Sequence, residues 1–151
     1  MRAVLIALAL AACAPPQQAE TPPAVTATPS STATASPEAA LATLPTWESA
    51  RAAGVDFRAV GQEPGWILDI YTRDRIVLIW DYGSNRIELP RVEPTYPQEG
   101  STRYDAQGDG HTLVIHVRRF PCQDAMSGQD YPATVEVIID GRTLQGCGRS
   151  V

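Results

Sequence analysis

Ser127 and His116 are the closest approach to a nucleophile–base pair in this sequence, and they stand eleven residues apart. A serine becomes a nucleophile only with a base in hydrogen-bond reach, and here only the fold could bring one close. Asp124 and Asp130 bracket the same polar stretch, CQDAMSGQDYP (122–132). Paired carboxylates can do acid–base work, but in a polar loop they more often cap turns or face water. His111 and His116 share one strand-like run at an odd spacing, so they point to opposite faces. Cys122 and Cys147 lack the CxxC spacing of a zinc site. GxSxG, HExxH, P-loop and GxGxxG patterns are all missing. These residues predict a non-enzymatic protein with no metal and no cofactor. They leave a different question, which is what the loop is built to touch.

The N-terminus, MRAVLIALALAACAPP, has one Arg followed by an apolar run from Ala3 to Ala12. That run is too short for the ~30 Å of a bilayer's hydrocarbon and has the form of a secretory signal peptide over residues 1–12. Leu10-Ala11-Ala12-Cys13 resembles the lipobox of bacterial lipoproteins. The resemblance implies cleavage before Cys13 and attachment of lipid, palmitate included, to that residue. Ala14 follows, with no Asp to resemble an inner-membrane retention signal. The expected location is the outer membrane, lipid-anchored and facing the periplasm. From Ala14 to Thr46, 26 of 33 residues are Ala, Pro, Thr or Ser, with Glu20 and Glu38 the only charges. Such a segment buries too little apolar surface to offset its ordering entropy. Residues 13–46 therefore read as the lipidated Cys and a disordered tether averaging about 30–35 Å end to end, with at most a helical turn or two at Pro37–Leu44. If Cys13 carries lipid, Cys122 and Cys147 remain as an even pair in an oxidising compartment. A bridge between them would contribute about 3.5 kcal/mol by loop-closure entropy.

Residues 47–151 hold 11 Arg and no Lys against 15 Asp and Glu. This mildly acidic domain lacks the basic stripe that nucleic acid requires. Strand periodicity dominates it. DFRAV (56–60), GWILDIYT (65–72), RIVLIWDY (75–82), NRIELP (85–90), STRYDAQ (101–107), HTLVIHVRRF (111–120), ATVEVIID (133–140) and RTLQGCG (142–148) read as eight strands. Turn signals separate them, among them Gly83-Ser84-Asn85, Gly108-Asp109-Gly110 and Asp140-Gly141. Residues 90–100, with Pro90, Pro94 and Pro97, read as a long loop, and one short helix fits near Thr46–Ala53. The expected fold is all-β: a small antiparallel up-and-down barrel or strongly curled sheet, disulfide-closed and monomeric.

Two motifs stand out. In Gly61-Gln62-Glu63-Pro64-Gly65-Trp66 a turn delivers Trp66 onto a strand; Trp66 fills the barrel end and Glu63 accepts backbone donors, or both face a partner. The other is the opening loop with Asp124, Met126, Ser127, Gly128 and Tyr131, followed by Gly146-Cys147-Gly148. The GxEPxW turn, the CxDxMSGxxYPxTV block and the closing GCG together resemble a family of small bacterial envelope lipoproteins whose relatives are sometimes joined to META-type (heat-shock lipoprotein) domains. The likeness runs from about Phe57 to Gly148, and Gly65 stands where a bulky aromatic is expected. It implies a periplasmic β domain with a disulfide and brings no established activity.

Ser127-Gly128-Gln129-Asp130-Tyr131 also resembles SGxxY, the motif of periplasmic inhibitors of c-type and related lysozymes. There the Ser of an inserted loop hydrogen-bonds the enzyme's catalytic carboxylates. Those inhibitors carry a second motif with a Lys, and this chain has no Lys. Three expectations follow: a lipoprotein whose β domain binds a partner through 122–132 and the 61–66 turn, a muramidase inhibitor, or a barrel holding a small apolar ligand or serving in envelope stress. The last would use a cavity lined by the alternate faces of 66–70, 76–80 and 113–117.

Overall fold

The computed structural model describes residues 46–151. The signal peptide, Cys13, the tether and the Pro37–Leu44 turns lie outside the described residues. Thr46 caps a short helix, α1 (Trp47–Ala52), its hydroxyl accepting from the Ser49 amide at 3.2 Å. Gly54, at φ 87°, ends the helix and lets the chain turn into the sheet.

Ten strands follow: β1 (Val55–Gln62), β2 (Gly65–Tyr71), β3 (Arg75–Trp80), β4 (Asn85–Pro90), β5 (Ser101–Gly108), β6 (His111–Arg118), β7 (Cys122–Gln123), β8 (Asp130–Tyr131), β9 (Ala133–Ile139) and β10 (Arg142–Ser150). Eight of them form one antiparallel sheet in the order β4-β3-β2-β1-β10-β9-β6-β5. β10 pairs with β1, Val60 opposite Cys147, so the chain's last strand closes on its first. Every neighbour around the sheet is a neighbour along the chain, apart from the β7–β8 excursion and that closure. This is the up-and-down, barrel-like fold that the periodicity predicts.

The seam lies between β4 and β5. The stretch read as a loop runs on from β4 in extended form, and Thr95 and Arg103 exchange two backbone hydrogen bonds at 2.8 Å. At Gly108 a Cβ would stand 3.1 Å from Leu89 and 3.7 Å from Pro90, so the two edges touch there as well. Pro90, Pro94 and Pro97 supply no N–H, which keeps the seam from becoming a full ladder.

The hairpin turns follow from their residues. Asp109-Gly110 and Asp140-Gly141 both take positive φ (51° and 81°, 49° and 83°), the two-residue geometry whose twist suits a β-hairpin. Two expected strands end two residues early. RIVLIWDY stops at Trp80 because Asp81 and Tyr82 adopt φ 52° and 56°. HTLVIHVRRF stops at Arg118, and Phe120 turns out into solvent.

Inside, alternate residues of each strand meet. Leu68, Leu78, Leu113, Ile115, Val135 and Val137 are fully buried and fill the middle. The middles of the faces 66–70, 76–80 and 113–117 are packed solid, while Trp66, Ile70 and Val117 at their ends border depressions at the two mouths. Among the described residues there is also a second layer, outside the wall. Arg58 and Asp69 sit opposite each other on β1 and β2, on the face away from Ala59 and Leu68, yet both are buried. Trp47 of α1 covers them, with the Arg58 guanidinium 5.6 Å from its ring centre and that of Arg149 4.3 Å away. Tyr131 completes this layer, its ring 6.0 Å from Trp47.

Candidate functional site

The candidate site is the surface where the 61–66 turn meets the 122–131 loop. One disulfide and one carboxylate hold it together. Cys122 is bonded to Cys147, so the bridge fastens the head of the loop to β10. The short β7–β8 pair, Cys122 opposite Tyr131, closes the loop's neck. Both short strands were invisible to periodicity, which needs more than two residues.

Asp124 organises the interior of the loop and is itself buried. Its carboxylate accepts from the Ser127 amide and the Ser127 hydroxyl, both at 2.7 Å, and from the Met126 amide at 3.2 Å. Its other oxygen accepts from the Gln62 side-chain amide at 2.9 Å. Gln62 thus ties the loop to the end of β1. Burial pushes the Asp124 carboxyl up, but the hydrogen bonds from Ser127, Gln62 and Met126 together outweigh it and hold the acid below its usual range. Gly128, at φ 68°, completes the turn by donating its amide to the Asp124 carbonyl at 2.9 Å.

Ser127 is therefore spent inside the loop: it donates to Asp124 and accepts from the Gln129 amide at 3.3 Å. His116 lies on β6 and shares no contact with it; opposite His116 stand Arg103 and Glu136. Asp130 does not pair with Asp124 but accepts from Gln123 at 3.1 Å. Tyr131 is buried beneath Trp47, away from the loop's crest. Met126 is the large apolar side chain that the loop exposes, at 70 %, with Ser127 and Gly128 exposed beside it.

The turn motif and the closing GCG are two parts of one arrangement around Trp66. A Cβ on Gly61 would fall 2.1 Å from the Trp66 ring nitrogen, and one on Gly146 would fall 2.7 Å from the ring and 2.0 Å from the Val60 carbonyl oxygen. The indole lies across both glycines and donates to the Gln145 carbonyl at 3.3 Å. At Gly148 a Cβ would meet the Phe57 ring at 2.6 Å. Glu63 accepts from the Tyr82 hydroxyl at 3.0 Å and not from backbone donors, which corrects the expectation for it. The Tyr82 ring lies on Gly65, 2.7 Å from where its Cβ would be, so the next turn supplies the aromatic surface that Gly65 omits. This bond and burial raise the Tyr82 phenol, keeping it a donor.

Between the turn and the loop runs a cleft of ≈ 310 Å³, lined by Trp66, Ile67, Ile79, Tyr82, Glu63 and Met126 among others. A second depression of ≈ 390 Å³ continues past Met126 and Asp124 to the disulfide. The fold thus gathers Glu63, Trp66, Asp124, Met126, Ser127 and Gly128 on one surface and sends Tyr131 to the layer beneath α1. Gln62, Ile79 and Tyr82 escaped the sequence reading. The Asp-x-x-Ser spacing of Asp124 and Ser127 is a turn signal that pointed to the loop's internal bonds. None of the protein-family models, curated proteins or solved structures compared with the chain matches it.

Proposed function

We propose that the chain is a non-enzymatic lipoprotein of the outer membrane, anchored at Cys13, whose β domain meets a protein partner in the periplasm through the cleft between the 61–66 turn and the 122–131 loop. One observation carries this reading. Met126 stands 70 % exposed at the edge of an apolar cleft, on a loop fixed by a disulfide and a four-fold hydrogen-bonded carboxylate. An exposed Met adapts to varied apolar surfaces, and a pre-ordered loop loses little entropy on docking. The partner that fits presents an apolar side chain to Ile67, Ile79 and Met126, with a cation or donor toward Glu63. A photo-crosslinker at Met126 in intact cells tests this. A specific adduct that is lost with Ile79→Asp, while a crosslinker at the remote Arg73 gives none, supports the cleft. Equal labelling at both positions refutes it. Incorporation of labelled palmitate, abolished by Cys13→Ser, tests the anchor.

The muramidase-inhibitor reading uses the same loop. With Ser127 bonded to Asp124 and Tyr131 covered, the loop offers it the crest from Ala125 to Gln129. Inhibition of c-, g- or i-type lysozymes that is weakened by Met126→Asp supports that version, and no inhibition at micromolar concentration refutes it.

A further inference from the structure

The arginines of the domain are not spread evenly. At the end of the barrel that carries the cleft, Arg86 and Arg142 are each held 2.7 Å from a carboxylate, of Glu88 and of Asp81. In the wall, Arg58 and Arg103 are bonded to Asp69 and Asp105. Arg51, Arg73, Arg118 and Arg119 are exposed, and among the described residues none of them has an acidic partner. All four lie at the opposite end. Arg51 is in the last turn of α1, Arg73 is in the turn between β2 and β3, Arg118 ends β6 and Arg119 follows it. Arg75 and Arg91 stand at the same end, 3.6 and 3.7 Å from Asp74 and Asp56, with Arg149 stacked on Trp47. Its other acidic side chains are Glu48, Glu93 and Glu99. Arginines outnumber acids there, so this end is the positive pole of a domain whose net charge is negative.

Two aromatic side chains stand out into solvent from the same end. Phe120 is 69 % exposed and Tyr96 73 %. Neither is on a loose stretch. The Phe120 amide donates to the Arg118 carbonyl at 2.8 Å, its carbonyl accepts from the Thr134 hydroxyl at 3.2 Å, and Pro121 follows. Tyr96 follows Thr95, which is bonded to Arg103, and precedes Pro97. The Arg119 amide donates to the Gly100 carbonyl at 2.8 Å and so joins the two segments into one rim. Exposed rings beside arginines suit a membrane interface. The ring enters the headgroup layer, and the guanidinium stays with the phosphates.

We infer that this end docks on an anionic lipid bilayer. Phe120 and Tyr96 lie in the headgroup layer, Arg118 and Arg119 take lipid phosphates beside them, and Arg51 and Arg73 add attraction from across the mouth. The negative net charge of the domain does not prevent this. Salt screens charges beyond about 8–10 Å, and the acidic far end stands roughly 20 Å away, the length of the strands. The cleft then faces away from the bilayer, open to a partner. Docking of this kind needs no lipid on Cys13.

The test is flotation of the oxidised chain with lipid vesicles. The chain starts at residue 13 and carries Cys13→Ser, so neither the N-terminal apolar run nor an acyl group touches the bilayer; the helix and sheet all lie beyond that point. Vesicles of phosphatidylcholine with an equal share of phosphatidylglycerol bind it at micromolar protein and millimolar lipid. Vesicles of phosphatidylcholine alone bind it more weakly. Binding to the mixed vesicles falls as salt is raised. Arg118→Ala with Arg119→Ala lowers that partitioning by about twentyfold, about fivefold for each guanidinium at an anionic surface. Phe120→Ala lowers it by about tenfold, one ring being withdrawn from the interface. Arg86→Ala, at the cleft end, leaves it unchanged. All four side chains are exposed, and thermal unfolding establishes that each variant keeps the fold. No binding to the mixed vesicles at low salt overturns the inference. So does equal binding to both lipids, or binding that the paired arginine change or Phe120→Ala leaves untouched. Binding to soluble dextran sulfate with the vesicles left free also overturns it and makes this face a polyanion site.

Discussion

Replacing Asp124 tests most directly how the candidate site is held. Its carboxylate accepts four hydrogen bonds, three from the loop itself and one from Gln62 on β1. A hydrogen bond to a charged group contributes about 1.5–3 kcal/mol when buried. Here water can reach several of the donors once the loop loosens, and the Met126 bond is the longest of the four, so Asp124→Ala is expected to cost about 3 kcal/mol in total. Asp124→Asn keeps an acceptor for the Ser127 and Met126 amides, and Gln62 can turn its own oxygen toward the new amide. It should lose mainly the charge assistance, about 1–1.5 kcal/mol. The sign of the pH dependence follows from the lowered acidity of Asp124 in the folded protein. A carboxyl with a depressed folded pKa adds stability above its unfolded value, near 3.9, and loses it as pH falls through the folded value. The gap between wild type and Asp124→Asn should therefore be full at pH 7 and shrink below about pH 4. Using the difference between the two proteins cancels Asp105 and Asp140, whose carboxyls are also held low. Urea unfolding at pH 7 and at pH 3 or below measures the gap. Amide exchange at Met126 and Ser127 shows how much of the loss is confined to the loop. Equal stability at pH 7, or a gap that stays constant to the lowest pH, would refute the assignment of Asp124 as the loop's organising anion.

Cys122→Ser, Cys147→Ser and the double change break the same bond across 25 residues, so each should lower unfolding free energy by about 3.5 kcal/mol and the three should agree, as read by denaturant midpoint. Gly146→Ala puts a methyl 2.0 Å from a backbone carbonyl and 2.7 Å from Trp66, and should cost at least about 1–3 kcal/mol, with shifted Trp fluorescence as a second readout. Asp69→Asn removes the negative charge that faces the buried Arg58, now bonded at two points of 2.6 Å, and should cost about 3 kcal/mol by thermal unfolding, whereas exposed Arg73→Ala should be near neutral.

The strands were legible because one face of the sheet meets a filled core, and alternation survives wherever that is true. Leu113, Ile115 and Val117 announce β6, and Trp66, Leu68 and Ile70 announce β2. Asp-Gly at 109–110 and 140–141 announced two hairpins for a reason local to the backbone. The outer layer was not legible. Arg58, Asp69, Tyr131 and Cys147 occupy positions that alternation assigns to solvent, and only α1 and the loop folding back cover them. That cover depends on contacts between residues far apart in sequence, such as Trp47 with Arg149, which no local pattern encodes. The same gap explains Tyr131, which sits on a polar stretch and reads as displayed while Trp47 covers it; Ser127 does stay exposed, with its hydroxyl bonded to Asp124.

The two motifs are best understood as one device around Trp66. An indole laid flat on a wall needs backbone beneath it with no side chains, and Gly61 and Gly146 provide this on the adjacent strands β1 and β10. β10 can then carry Cys147 between two glycines, facing outward, where Cys122 reaches it. The bridge holds the loop close enough for Gln62, the residue after Gly61, to reach Asp124. Each step depends on the one before: filling Gly146 displaces Trp66, and displacing Trp66 moves the strand end that carries Gln62. An apolar cleft flanked by such a chain of dependences keeps its shape without a partner, which is the condition for a rigid docking surface.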